Sequence, residues 1–244
     1  MSDIHINVEN LTFSYEKNNK ILNNINFNAK VNEAIGIIGA NGVGKSTLLK
    51  LLVGLDLNYE GKINIGNTIL NKKNLNKIRE NIGYVFQDSD NQLFMSNVYD
   101  DIAFGPRNYG LLEEEVKSRV ENALSMVHIE GLKNKKTYKL SGGEKKLVAI
   151  ATIFSMKPNI ILMDEPSIAL DPRNRRNLIN ILNEFKQLKI IASHDLDMIL
   201  DTCNRTILIA DGKIIKDGNT REILMDKELL EANNLELPLC FQRK

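Results

Sequence analysis

Gly39-Ala40-Asn41-Gly42-Val43-Gly44-Lys45-Ser46-Thr47 decides how the rest of the chain is read. The run satisfies the phosphate-loop pattern G-x-x-x-x-G-K-[ST] in full. Its glycines keep side chains out of the turn, so backbone N–H groups can converge on phosphate oxygens. Lys45 supplies a point charge for the β and γ phosphates, and the Ser46 hydroxyl suits a Mg²⁺ ion. The flanks agree. Ala34-Ile35-Gly36-Ile37-Ile38 reads as a buried strand entering the loop, and Leu48 to Val53 as the helix leaving it, whose N-terminus favours an anion. The pattern implies a bound nucleoside triphosphate.

Bulk composition excludes several classes. With 244 residues, 43% apolar and 26% charged, the chain has room for a substantial core and an ordinary globular balance. A net charge of +1 gives no basic field, so nucleic acid is not expected as a partner. The basic runs Lys133–Lys139 and Arg173–Arg176 read as solvated faces. Two cysteines, Cys203 and Cys240, fit neither a disulfide framework nor a metal site and suggest a reducing compartment. The start, Met1-Ser2-Asp3-Ile4-His5, lacks the basic and apolar regions of a signal peptide. No stretch approaches the roughly 18 apolar residues of a membrane span. A role at a membrane therefore requires a partner.

Along the chain, Ile4, Ile6 and Val8 alternate with polar residues, as do Ile25, Phe27, Ala29 and Val31. Both read as half-buried strands separated by a polar turn from Glu16 to Lys20. Lys62-Ile63-Asn64-Ile65 and Thr68-Ile69-Leu70 flank Gly66-Asn67, a hairpin signal, and Ile82 to Phe86 reads as a further strand. From Asp88 to Lys157 the pattern is helical, with Val116, Val120, Ala123 and Val127 on one face and a second helix from Glu144 to Met156. Strands return at Ile160–Met163, Ile190–Ala192, Ile207–Ala210 and Ile214–Ile215, and a helix carries Leu178, Ile181, Leu182 and Phe185. The expected fold is α/β with a largely parallel sheet, an antiparallel β portion near the N-terminus and an α-helical insert. The domain is expected over 3–236, with 1–87 and 158–218 as core, 88–157 as helical subdomain and 219–244 as a C-terminal extension.

Ile160-Ile161-Leu162-Met163 ends in Asp164-Glu165, an apolar strand closed by two carboxylates, the form of a Walker-B segment. Neighbouring strand residues point to opposite sides, so the two acids are assigned different tasks. Asp164 is expected to serve Mg²⁺, and Glu165 the attacking water. Leu140-Ser141-Gly142-Gly143-Glu144 precedes a helical run. Ser141 and Glu144 have the spacing of a capping box, whereas the paired glycines suit backbone contact with an anion. Spacing alone leaves both readings open.

Taken together and in this order, the phosphate loop, Leu140 to Glu144 and Asp164-Glu165 resemble an ATP-binding-cassette (ABC) ATPase over almost the whole chain. The resemblance implies a head-to-tail dimer with two ATPs between the halves. Ser141, Gly142, Gly143 and Glu144 would then serve the nucleotide held by a second subunit, and Asp171 of the D-loop would reach across. It implies that Gln87 touches the metal and the attacking water, and that His194, in Ala192-Ser193-His194-Asp195, bonds the γ-phosphate. Tyr15 matches the adenine-stacking aromatic, with a packed strand aromatic as the other reading. Glu144 stands where many members carry Gln, and Leu147 where Arg is frequent; neither change removes a catalytic group. His5 and His128 are read as structural.

The stretch from Thr47 to Leu140 carries no sustained heptads of the kind found in DNA-repair cassettes, and there is one cassette rather than two. Phe86 to Phe94, followed by Asp100 to Pro106, is similar to the ATPase subunits of energy-coupling-factor and cobalt importers (CbiO type). That similarity implies docking of a transmembrane coupling subunit near Asp90, Gln92, Leu93 and Phe94, beside a substrate-binding membrane component. Ordinary packing explains Leu93 and Phe94 equally well. Cobalt, nickel or a vitamin is the implied cargo, the cytoplasmic face of the cell membrane the implied location, and a homodimer or a paralogue pair the implied assembly. A soluble cassette with a regulatory role is the alternative. The tail from Thr220 is implied to stabilise a dimer; a frayed end is the other reading.

Overall fold

The computed structural model describes residues 5–16 and 19–242. The strand start read at Ile4, the residues before it and the 17–18 part of the polar turn lie outside that range. The chain forms two compact units. One takes the stretch up to Ile82, Asn159–Glu165 and the chain from Lys186 on; the other takes Gly83–Pro158 and Pro166–Phe185.

The first unit opens with β1 (Ile6–Ser14) and β2 (Lys20–Ala29), paired antiparallel. Ile6, Val8, Leu11 and Phe13 of β1 are buried, and the two-residue alternation slips once, at Asn10. Asn10 has φ 51° in the left-handed region, which short polar side chains tolerate and which re-aims a bulged strand. Val31 does not extend β2. The chain turns at Lys30–Glu33, where the Glu33 carboxylate accepts from Lys30 N, and Val31 is exposed. Next come β3 (Ala34–Ile38), α1 (Lys45–Leu52), β4 (Glu60–Ile65), β5 (Thr68–Ile69) and α2 (Leu75–Arg79). The hairpin turns at Gly66-Asn67 as read, and the antiparallel order is β2-β1-β4-β5.

β6 (Ile82–Val85) begins where this unit ends. The helical unit then runs through α3 (Val98–Asn108), α4 (Glu113–Met126) and α5 (Gly142–Phe154). Val116, Val120, Ala123 and Val127 are all buried, as a 3.6-residue stripe requires. After β7 (Ile160–Asp164) comes α6 (Pro172–Glu184), which groups with the helical unit rather than with the sheet. Phe185 at its end lies 5.9 Å from Phe154, ring to ring.

The first unit resumes with β8 (Leu188–Ala192), α7 (Leu196–Thr202), β9 (Arg205–Ala210) and β10 (Lys213–Asn219). Its second sheet runs β10-β9-β3-β8-β7; β9, β3, β8 and β7 are parallel and β10 antiparallel at the edge. β7 and β8 are buried throughout, the continuous apolar reading of a strand covered on both faces. The tail is tied down: α8 (Thr220–Met225) and α9 (Lys227–Ala232) share Asp226 as C-cap and N-cap, and α10 (Leu239–Gln242) is held by Asp197, which accepts from Leu239 N and Cys240 N. Among the described residues no helix is long and apolar enough to cross a membrane.

Candidate active site

Register builds the site. Ile37 pairs with Ala192 across β3–β8, and Ala192 with Asp164 across β8–β7. Residues just past these three therefore emerge together at the carboxyl edge of the sheet, where open α/β sheets bind ligands. They are Gly39 to Lys45, Ser193-His194 and Glu165. Two crossed bonds lock the edge: Ser193 N donates to Ile37 O at 3.1 Å and Glu165 N to Ala192 O at 2.8 Å.

The phosphate loop is shaped by its glycines. A Cβ on Gly39 would stand 2.2 Å from the Ile209 carbonyl, and Gly44 has φ 104° where the loop turns into α1. Ala40, Asn41, Gly42 and Val43 form the open rim. Lys45 is only 6% exposed, and its Nζ donates to Gly39 O at 2.7 Å and Ala40 O at 3.0 Å. Burial holds its pKa below the usual lysine value, against the opposing pull of Glu165 and Asp164. Ser46 Oγ donates to Asp164 Oδ1 at 2.8 Å, so a hydroxyl and a buried carboxylate oxygen stand side by side. That all-oxygen pair fits a hard divalent cation such as Mg²⁺. Thr47 Oγ1 is 3.3 Å from the Tyr15 hydroxyl, and the Tyr15 ring, edge-on to Phe13, is 62% exposed beside the loop.

Glu165 is the most constrained residue here. It is 5% exposed and has φ 48°, unusual for a side chain of its length. Its Oε2 accepts from Ser193 Oγ (3.2 Å), His194 N (3.2 Å) and His194 Nδ1 (2.8 Å). Three bonds to one oxygen orient the carboxylate and leave Oε1 as its other acceptor. Ser193, fully buried, was not singled out by sequence. The only sign was its place before His194, in a run whose Asp195 caps α7. Its hydroxyl also accepts from Asp195 N at 3.0 Å, so one group ties the Glu165 carboxylate to the start of that helix.

The sequence pattern of ABC transporters matches residues 22–168. The chain belongs to the ABC transporter family. An energy-coupling factor transporter ATP-binding protein of Clostridium perfringens is 41% identical over 244 residues, spanning 98% of this chain and 86% of that protein. The solved structure of CbiO1 from the same organism, part of the ABC transporter complex CbiONQ, matches with a TM-score of 0.83 at 40% identity, covering 95% of each chain. A bacterial ABC transporter cassette solved as a dimer matches at 0.81 and 30% identity, over 88% of this chain and 99% of that one. The ATP-binding role and the ATPase activity coupled to transport follow from this membership, and the ABC cassette fold is the one observed.

The remaining ABC motifs lie in the helical unit. Ser141 caps α5 through a complete capping box: Ser141 Oγ accepts from Glu144 N at 3.3 Å and Ser141 N donates to Glu144 Oε2 at 2.7 Å. Gly142 and Gly143 lie against Ala169 of the D-loop turn, Ser141 and Gly142 being exposed. Asp171 is committed locally as the cap of α6, accepting from Arg173 N, Asn174 N and Asn174 Nδ2, bonds that hold its pKa below the usual carboxylate range. Gln87 is exposed, while its carbonyl and that of Phe86 take the ammonium of Lys146 at 2.7 and 3.0 Å. Sequence gave no sign of Lys146, which is 1% exposed.

Of the four residues expected to dock a partner, Gln92 is turned inward. It accepts from Phe86 N and donates to Ala149 O and Thr152 Oγ1 of α5. Asp90 pairs with Lys145, and Leu93 is half-buried. Phe94 stays outside at 65% exposure, edge-on to the exposed Phe104 at 4.7 Å. Asp101, 3% exposed, fixes that loop by accepting from Phe94 N and Met95 N.

Proposed function

We propose that two cassettes close head to tail around two ATPs and thereby drive a membrane partner that imports a small solute. The observation that carries the reading is the Glu165 carboxylate, oriented by Ser193 and His194 beside the Lys45–Ser46–Asp164 cluster. The Lys45 ammonium and loop amides hold the β and γ phosphates, and Tyr15 stacks on the adenine. Ser46 and Asp164 would hold Mg²⁺, which when bound offsets charge on the phosphate oxygens. Glu165 takes a proton from the attacking water as general base. His194, which shares its Nδ1 with Glu165, bonds the γ-phosphate through Nε2.

The exposed Ser141–Gly142 edge, with Gly143, meets the triphosphate of a second copy or a paralogue, and Asp171 reaches across the dimer; the dimeric cassette that this chain resembles supports that arrangement. Closure needs γ-phosphate contacts that ADP lacks, the differential affinity a switch requires. Phe94 and Phe104 form the surface for the coupling subunit, at the cytoplasmic face of the membrane. The solute we assign, cobalt, nickel or a vitamin, rests on the resemblance of Phe86–Phe94 and Asp100–Pro106 to energy-coupling-factor and cobalt importers; an energy-coupling factor ATP-binding protein among the relatives supports the importer class. The test is affinity purification in mild detergent with mass spectrometry of partner and bound small molecule. Recovery of a polytopic membrane protein that delivers one such solute is expected. A chain that hydrolyses ATP at full speed with no membrane partner overturns the reading.

A further inference from the structure

The Leu140–Glu144 segment carries an acid where its own cap needs none. Glu and Gln serve equally as the third residue of a capping box, since the bond to the Ser141 N–H requires only an oxygen. Glu144 adds a full negative charge on the first turn of α5, one turn from the Ser141 hydroxyl. Such a charge suits an isolated helix N-terminus but opposes the approach of any other anion to the same edge.

The structure answers that charge with a cation. Lys135 Nζ donates to both Glu144 oxygens, each at 2.8 Å, with both side chains about one-third exposed or less. The lysine does not arrive by chance rotation. Its N–H donates to Leu132 O, its carbonyl accepts from Val98 N at the start of α3, and its neighbour Lys136 forms an isolated bridge with Asn97. The hydrogen bond from Lys135 is also the main influence holding the Glu144 carboxyl below the ordinary glutamate range.

We propose that Lys135 is a positioning residue whose charge makes Glu144 tolerable at a phosphate-facing edge, so that Ser141 can meet a triphosphate. This rests on the reading above, in which that edge serves the ATP of a second copy. The pair behaves as a neutral replacement for an uncharged glutamine, with the cap intact. Removing the lysine leaves the cap bonds in place and exposes the phosphates to an uncompensated carboxylate. A partly exposed charge of this kind changes affinity by roughly fivefold per site, hence on the order of 20-fold for a dimer that uses two.

The experiment measures ATP-dependent dimerisation of the full chain by analytical ultracentrifugation, in a Glu165→Gln background that preserves ATP. Lys135→Met is expected to weaken the dimer on the order of 20-fold. Lys135→Arg should retain it, and Lys135→Met combined with Glu144→Gln should restore it. Rescue by removing the partner's charge is a result that a purely structural lysine cannot give. Circular dichroism checks folding, and Lys135→Gln carries the test if the methionine variant fails to fold. Ser141→Arg is the control for the underlying reading. If the parent forms no ATP-dependent dimer, or Ser141→Arg leaves it intact, that reading fails and takes the inference with it. If Ser141→Arg abolishes the dimer while Lys135→Met does nothing, or while the double variant stays as weak as Lys135→Met, the inference alone is overturned.

Discussion

The two compact units handle polar side chains in opposite ways. At the carboxyl edge of the parallel sheet the chemistry is buried: Lys45, Asp164 and Glu165 are 6, 2 and 5% exposed, each fixed by bonds from neighbouring loops. In the helical unit the groups proposed to meet other chains sit outside, at caps and turns: Ser141, Asp171 and Phe94 are exposed, while buried Lys146 and Asp101 hold backbone in place behind them. The difference separates reaction from recognition. Groups that must act on a proton are preorganised in a low-dielectric setting. Groups proposed to meet another surface are presented, with buried supports behind them.

The sharpest way to break this comparison is Glu165→Gln. A positioned general base contributes about 10²–10⁴-fold, so phosphate release should slow by that factor while ATP binding is retained. Turnover at the unsubstituted rate would remove Glu165 from the reaction. Lys146→Met probes the other unit. It leaves the carbonyls of Phe86 and Gln87 without their ammonium, and the loss should lower the unfolding free energy by about 1–3 kcal/mol, read from the urea midpoint. A midpoint that does not move would mean these carbonyls lean on water instead.

Ser193→Ala tests whether orientation matters within the buried site. Losing one hydrogen bond to a carboxylate should reduce kcat about tenfold with ATP affinity unchanged. An equal fall in binding would make Ser193 a folding residue only. The smallest effect concerns Asp101. Burial raises its folded-state pKa above the 3.8 of an ordinary aspartate, so between those values the folded chain binds more protons than the unfolded one. Its contribution is therefore fullest below 3.8 and declines as pH rises through the folded pKa. The stability of Asp101→Asn relative to the parent should rise across that window, and a pH-independent difference would contradict the assignment.

Much of this was legible in the sequence because motif and period agreed. The loop from Gly39 to Thr47 sits between a strand and a helix as read, and Asp164-Glu165 closes an apolar strand. The stripe of Val116, Val120, Ala123 and Val127 packed as its period required. The two readings left open at Ser141 are not exclusive, since the cap is complete while its exposed edge stays available. What could not be read depends on contacts far apart in sequence. Nothing near Gln92 says that its amide turns toward Ala149, and nothing near Lys146 says that its ammonium is buried under Phe86. Nor does local pattern reveal that α6, with its single apolar stripe, groups with the helical unit.

Lys146 and Gln92 together have a mechanical consequence. The segment from Phe86 to Gln92 is fastened to α5 at three successive heights, through Lys146, Ala149 and Thr152. A hinge between them would have to break a buried ammonium's bonds. Force applied near Phe94 would therefore pass into α5 through these bonds rather than be absorbed within the loop.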